Sequence, residues 1–341
     1  MSRHQFSMEY YWRMQAEKIS PALSWNEEWD FAEWKKASGA KLRELIGDFP
    51  KRVPLMSDVE YSVEEEDFIR QRVVFDSEEE MSVPCQVLIP KGEQPQGGFP
   101  AILCCHGHGK FGKDPVAGLA GTPECRADIA EMNYDYGAQM AKAGFLTICP
   151  DLRGFGERRD GDDWLGRDTC NVNLLKGEIL GKYPLALNIW DMKCCIDYLC
   201  TRKDVNPQRI GMMGLSMGGT MTAFTTAVEP RIKAADIIAY INPLDRFGIA
   251  RGNFCGSQIL PGLRCHLDTS DIAGLIAPRP LLLEMGTGDR CFFFQDLWKG
   301  YESVKNIYEN AGAGDQLWKD IHSGGHAFSG KKAAAFFRQY L

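Results

Sequence analysis

The sequence predicts an α/β fold: a mostly parallel central sheet with helices on both faces and a helical extension at its N-terminus. Three observations carry this. Short apolar runs such as AILCC, FLTIC and PLLLEM alternate with longer amphipathic stretches between residues 101 and 340. The runs are continuously apolar, as strands covered on both faces must be. The two segments that interrupt the alternation, 109–131 and 242–278, both leave from predicted strand C-terminal ends, where open α/β sheets place their ligands.

Residues 1–55 read as the helical extension and 56–341 as the main domain. Trp25, Trp29 and Trp34, with Phe31 between them, fall close to helical spacing, and FAEWKKASGAKLRELIG reads as an amphipathic helix ending at Gly47. An aromatic stripe of this kind docks a helix onto a core, on its own chain or on a second copy, which leaves a homo-oligomer open. Pro50 and Pro54 mark the junction. EEEDFIRQRVVFDS and MSVPCQVLIPKG, around the acidic turn 77–80, predict two antiparallel strands, and GEQPQGGFP a surface loop. Strands then follow at 101–105, 145–149, 209–214, 233–241, 280–285 and 315–321. Helices are expected around 133–143, 186–201, 217–228, 295–312 and 330–340. The interruptions are long enough to be lids or pocket walls.

A chain of 341 residues can bury a deep core, and 44% apolar with 25% charged residues is ordinary for a globular protein. A net charge of −7, with Lys and Arg scattered among more numerous acids, argues against a nucleic-acid partner and against adsorption to anionic membranes. No run approaches the roughly 18 apolar residues of a spanning helix, and the first residues lack the apolar core of a secretory signal, so a cytoplasmic location is expected. The 12 cysteines include no Cys-x-x-Cys pair and sit mostly in apolar runs. They read as small hydrophobes, not as disulfides or metal ligands.

Gly214-Leu215-Ser216-Met217-Gly218-Gly219 joins a convincing strand to a convincing helix. A Ser raised on such a turn needs strained backbone angles, and flanking glycines remove the Cβ atoms that would clash. Its hydroxyl becomes a nucleophile only when a base takes the proton. His326, in a Gly-rich loop just past the last predicted strand, is better placed for this than His322, which lies four residues earlier. The base needs an acceptor on its other nitrogen. Asp289 follows the strand PLLLEM through a Gly-Thr-Gly turn; Asp245 is the competitor, and Glu284 lies inside the strand, facing a helix layer. The order Ser, Asp, His fits a triad on an α/β scaffold. An oxyanion would be held by the backbone N–H of Met217 and, from the loop His106-Gly107-His108-Gly109, by that of His108. His106-x-His108 lacks a third ligand in a matched position, so it does not read as a metal pair, and the chemistry needs neither metal nor cofactor. His106 is expected to be a structural turn residue. Asp151 and Arg153 are expected to pin neighbouring loops as a buried ion pair. Phe292, Phe293 and Phe294 line a pocket or pack beneath the acid loop.

With these residues in hand, the chain resembles the α/β-hydrolase superfamily, and within it the dienelactone-hydrolase-like and acetyl-xylan-esterase-like bacterial serine hydrolases. The matching text is CCHGHG at 104–109, NYDYG at 133–137, PDLRGFGERR at 150–159, IGMMGLSMGG at 210–219, LIAPRPLLLEMGTGD at 275–289 and SGGHAF at 323–328. The resemblance covers about residues 60–341. It implies an α/β-hydrolase fold and cleavage of a carboxylic ester, such as a short-acyl ester of a carbohydrate or small metabolite. Ser216 would be nucleophile, Asp289 acid, His326 base, and Met217 and His108 the oxyanion donors. Dienelactone hydrolases carry Cys at the elbow where this chain has Ser216, which argues against that substrate. The other readings are a serine peptidase of the prolyl-oligopeptidase type, a thioester or C–C bond hydrolase using the same triad, and a non-catalytic binding protein on this scaffold.

Overall fold

The computed structural model describes residues 4–161 and 168–341. Helices α1 (Met8–Glu17) and α2 (Phe31–Ile46) precede the sheet. Three strands follow, β1 (Asp58–Glu64), β2 (Phe68–Glu78) and β3 (Met81–Pro90), then β4 (Phe99–Cys105). Next come α3 (Lys113–Val116), α4 (Pro123–Met132), α5 (Tyr136–Lys142), β5 (Leu146–Pro150), α6 (Thr169–Leu180) and α7 (Pro184–Thr201). The second half holds β6 (Val205–Leu215), α8 (Met217–Val228), β7 (Ile232–Ile238), α9 (Thr269–Gly274), β8 (Leu281–Gly286), α10 (Phe294–Asn310), β9 (Leu317–His322) and α11 (Ala333–Tyr340).

The strands form one sheet in the order β1-β2-β3-β5-β4-β6-β7-β8-β9. β1, β2, β3 and β5 pair antiparallel, and every pairing from β5 to β9 is parallel. Successive residues of β4 serve opposite faces. Leu103 joins the layer that holds α2, α7, α8 and α10, whereas Ile102 and Cys104 join the layer of α5 and α11. This is why the run had to be apolar throughout. All twelve thiols are free.

Asp30 caps α2 by accepting from the N–H groups of Ala32 (2.9 Å) and Glu33 (3.0 Å), a contact worth about 1 kcal/mol. Trp34, Ser38, Leu42 and Ile46, spaced four apart, form its buried stripe. The aromatic segment docks on its own chain: Trp34 Nε1 donates to the Leu23 carbonyl (2.9 Å), Trp25 Nε1 to Asn306 (2.6 Å), and the Trp25 N–H to Asp271 (2.9 Å).

Six elements were not expected: α3, α4 and α9, which lie in the two interruptions, and β1, α1 and α6. β1 is an edge strand with all seven residues solvent-exposed, so no buried face marks it in the sequence. α1 buries none of its residues, and α6 buries only Thr169 and Cys170. Several boundaries also moved, and two have a local cause. The helix expected from 133 starts at Tyr136, because Asn133 sits in the left-handed region (φ 49°) and ends α4. β7 stops at Ile238 because Ala239 turns the chain with φ 48°. Among the described residues, no helix is long and apolar enough to cross a membrane.

Candidate active site

Ser216 sits between β6 and α8 at φ 62°, ψ −117°. A non-glycine residue there stores on the order of 1–3 kcal/mol, and such strain persists only where the surroundings impose it. Here they do. A Cβ at Gly214 would lie 2.4 Å from the Gly218 carbonyl oxygen, and one at Gly218 would lie 2.1 Å from that of Cys105. The Ser216 N–H donates to the Ile238 carbonyl (2.9 Å), tying the turn to β7. Met217 is the first residue of α8, where a backbone N–H has no partner within the helix and the dipole favours an anion.

His326 lies beyond β9. Its Nδ1 is 2.8 Å from Oδ2 of Asp289, whose side chain is fully buried. The other carboxylate oxygen accepts from the N–H groups of Cys291 (2.7 Å) and Phe292 (2.8 Å). The Asp289 and His326 loops are laced together: Thr287 donates to the His322 carbonyl (2.8 Å) and Gly288 to that of Gly324 (3.0 Å). Farther along, the Ser329 N–H reaches Glu284 (2.8 Å) and its hydroxyl reaches Asp320 (2.8 Å). Phe292 stacks on the His326 ring (5.5 Å between centroids, 19°), and Phe247 stacks behind it (4.0 Å, 12°).

Ser216 and His326 line the same two hollows. One, about 60 Å³, is walled by Gly107, His108, Tyr134 and Leu215. The other, about 420 Å³, is walled by Asn171, Phe247, Asn253, Gln258 and Phe292, and falls within the range of small-ligand sites. Among the described residues no hydrogen bond closes between the Ser216 hydroxyl and the imidazole; both residues border the same cavities.

The rival residues lie elsewhere. The ion partner of Asp245 is Arg246 at 4.0 Å. His322 is buried with Nδ1 accepting from Gly324 N–H (3.2 Å), and that burial keeps its pKa low. Glu284 faces the α11 layer beside Asp320. His106 is fully buried and neutral in geometry: Nε2 accepts from Leu152 N–H (3.0 Å) while Nδ1 is 2.7 Å from the Gly107 carbonyl. It joins the β4 loop to the β5 loop. Asp151 and Arg153 do not pair with each other, contrary to expectation. Buried Asp151 takes the Lys113 ammonium (2.9 Å) and the N–H groups of Lys113 (2.8 Å) and Glu157 (3.0 Å). Arg153 forks onto Asp191 (2.8 and 2.7 Å). Burial opposes the charge on Asp191, but Arg158 and Arg153 outweigh it and its pKa falls. The phenylalanines also separate in role. Phe292 both lines the cavity and packs under the acid loop, Phe293 is half exposed beneath Arg251, and Phe294 opens α10.

Tyr134 was missed. Its hydroxyl lies in the smaller hollow and accepts from the Gly107 N–H, holding the β4 loop against the elbow. A Cβ at Gly107 would be 2.8 Å from that hydroxyl oxygen and 3.0 Å from the Leu215 carbonyl, so only glycine fits. The signal was present in NYDYG, but nothing local says which tyrosine faces the site.

A family model described as "Abhydrolase family" matches residues 10–323. "Putative hydrolase YtaP" of Bacillus subtilis (strain 168) is 29% identical over 320 residues, covering 88% of this chain and 98% of that protein. The "putative acetyl xylan esterase (BF1801)" of Bacteroides fragilis NCTC 9343 superposes with a TM-score of 0.76 at 18% identity, over 94% of this chain and 84% of that one. A glucuronoyl esterase from Solibacter usitatus gives a TM-score of 0.66 at 16% identity, over 94% and 98% of the two chains. At these identities the two structures show a shared fold.

Proposed function

The chain belongs to the Abhydrolase family, and from that membership we propose that it is a serine hydrolase that cleaves a carboxylic ester through an acyl-enzyme. The observation that carries the reading is the His326–Asp289 pair facing, across one cavity, a serine held at positive φ. With Nδ1–H donated to Asp289, the neutral imidazole offers Nε2 as the base. Ser216 Oγ attacks the ester carbonyl carbon and gives its proton to Nε2. The carbonyl π pair moves to oxygen, which the N–H groups of Met217 and His108 receive. The intermediate collapses, the C–O bond to the alcohol breaks, and the alcohol leaves with the proton from His326. Water repeats the sequence on the acyl-enzyme and releases the acid.

The cavity wall pairs aromatic faces (Phe247, Phe254, Phe292) with amide side chains (Asn171, Asn253, Gln258). That mixture suits a polar, uncharged alcohol, and it supports a short-acyl ester of a carbohydrate or small metabolite as substrate. The names of the acetyl xylan and glucuronoyl esterases that share the fold point the same way. The free thiols support a cytoplasmic setting.

Ser216→Ala is expected to lower ester turnover by about 10⁴-fold or more, and to end labelling by a fluorophosphonate. A mutant that still labels or still turns over p-nitrophenyl acetate sinks the assignment. Acetylated sugars tested beside p-nitrophenyl esters and a proline amide separate an esterase from a peptidase.

A further inference from the structure

We infer that His108, Cys170 and Cys255, with Asp168 as a fourth donor, form a binding site for a soft divalent cation of the zinc class at the rim of the cavity. This goes beyond the ester-hydrolysis reading and does not depend on it. Nε2 of His108 and the two sulfurs all lie within 4.8 Å of one another. The imidazole nitrogen is 3.7 Å from Cys170 Sγ and 3.8 Å from Asp168 Oδ2, and Asp168 Oδ1 is 3.2 Å from Cys170 Sγ. A tetrahedral ion with bonds of about 2.0–2.3 Å has donor-to-donor edges of roughly 3.3–3.8 Å. The 3.7 and 3.8 Å spacings fall in that range, and the 3.2 Å one lies just below it.

The donor set is also selective. Two thiolates and an imidazole favour zinc, cobalt(II) or cadmium over magnesium or calcium, which prefer all-oxygen shells. It is the one such group among the described residues. The loop after β4 supplies His108, the start of α6 supplies Asp168 and Cys170, and the segment before α9 supplies Cys255.

The segments are already held in place by contacts of their own. Asn171 Oδ1 accepts from the Gly256 N–H (2.8 Å), and a Cβ at Gly256 would lie 2.6 Å from the Cys170 carbonyl oxygen. Both cysteines are buried, and the His108 ring is set edge-on to Phe155 (5.3 Å, 77°). His108, Asp168 and Cys255 line the same cavity as Ser216. Binding would release the thiol protons to solvent and join the oxyanion loop to the opposite wall.

The test is titration of the reduced, metal-free full-length chain with Co²⁺. One equivalent should produce a thiolate-to-cobalt charge-transfer band in the near ultraviolet and the visible bands of a tetrahedral ion, both bleached by Zn²⁺. In the Cys170→Ser/Cys255→Ser double variant the charge-transfer band should vanish. Each single variant should keep about half its intensity, one thiolate in place of two. Zn²⁺ should raise the melting temperature of the parent and leave that of the double variant unmoved. Matching melts and circular dichroism of the metal-free proteins exclude a folding failure, and the single variants keep the test open if the double variant does not fold. No band in the parent, or an equal band in the double variant, overturns the site.

Discussion

Glu284 and Asp289 leave the same strand, β8, a few residues apart, and their surroundings differ in kind. Asp289 is met by three N–H donors: His326, Cys291 and Phe292. Glu284 receives one, from Ser329, leaves Oε1 without a partner, and lies with Asp236 and Asp320 in the buried layer under the sheet. Burial pushes its pKa up to about 8, with the charge of Asp320 adding to this and the Ser329 N–H opposing it. Asp236, with neither oxygen partnered, is also raised well above the ordinary carboxyl range. Environment, not residue type, decides which carboxyl works as an acceptor for the imidazole and which holds a loop in place as a neutral acid.

Asp289→Asn tests the comparison most severely. The amide can no longer hold the Nδ1–H tautomer, so kcat is expected to fall by about 10³–10⁴-fold while the melting temperature stays close to the parent's. Steady-state rates on p-nitrophenyl acetate check this, and a loss of less than tenfold would remove Asp289 from its role. Phe292→Ala should come next. Removing the ring between Phe247 and His326 should cost about 3 kcal/mol in denaturant unfolding and lower kcat by about 10–100-fold as the imidazole loses its seat.

The smallest effect concerns the buried acids. Between the ordinary value of 4.5 and about 8, the folded chain keeps on Glu284 a proton that the unfolded chain has released. Its contribution is therefore full below that window, falls as pH rises through it by up to roughly 1.4 kcal/mol per unit, and levels off above. Unfolding midpoints at pH 6 and pH 9 should show this slope in the parent. Glu284→Gln should flatten it and leave ester turnover within a few-fold; an unchanged slope would show that Glu284 does not hold the proton.

Much of this was legible in the sequence, where the signal was local. The elbow helix begins at Met217 and ends at Val228 as its pattern required, because two glycines and a small first turn admit little else. Chain order and strand ends pointed to His326 and to Asp289 with Asp245 as its rival, and the fold brings His326 and Asp289 within 2.8 Å. The remainder depends on contacts between distant segments. Neither the Phe247–Phe292–His326 stack nor the Tyr134 anchor leaves a periodic trace. Asp151 and Arg153 are two positions apart, yet each pairs elsewhere, Asp151 with Lys113 at the start of α3 and Arg153 with Asp191 inside α7. Cys255 and His108 meet only because two insertions fold over the same strand ends.

The solvent-exposed edge formed by β1 carries a further consequence. Its outer row of backbone groups is a template for a strand from any neighbouring molecule, and Val59, Tyr61 and Val63 are each about 40–50% exposed along it. Asp58, Glu60 and Glu64 ride the same strand, but Arg72 pairs with Glu60 (3.0 Å) and Lys91 with Glu64 (3.0 Å), which leaves Asp58 as the acid there without an ion partner among the described residues. The ion pairs along this border weaken in concentrated salt, which should make strand addition at the β1 edge depend on ionic strength.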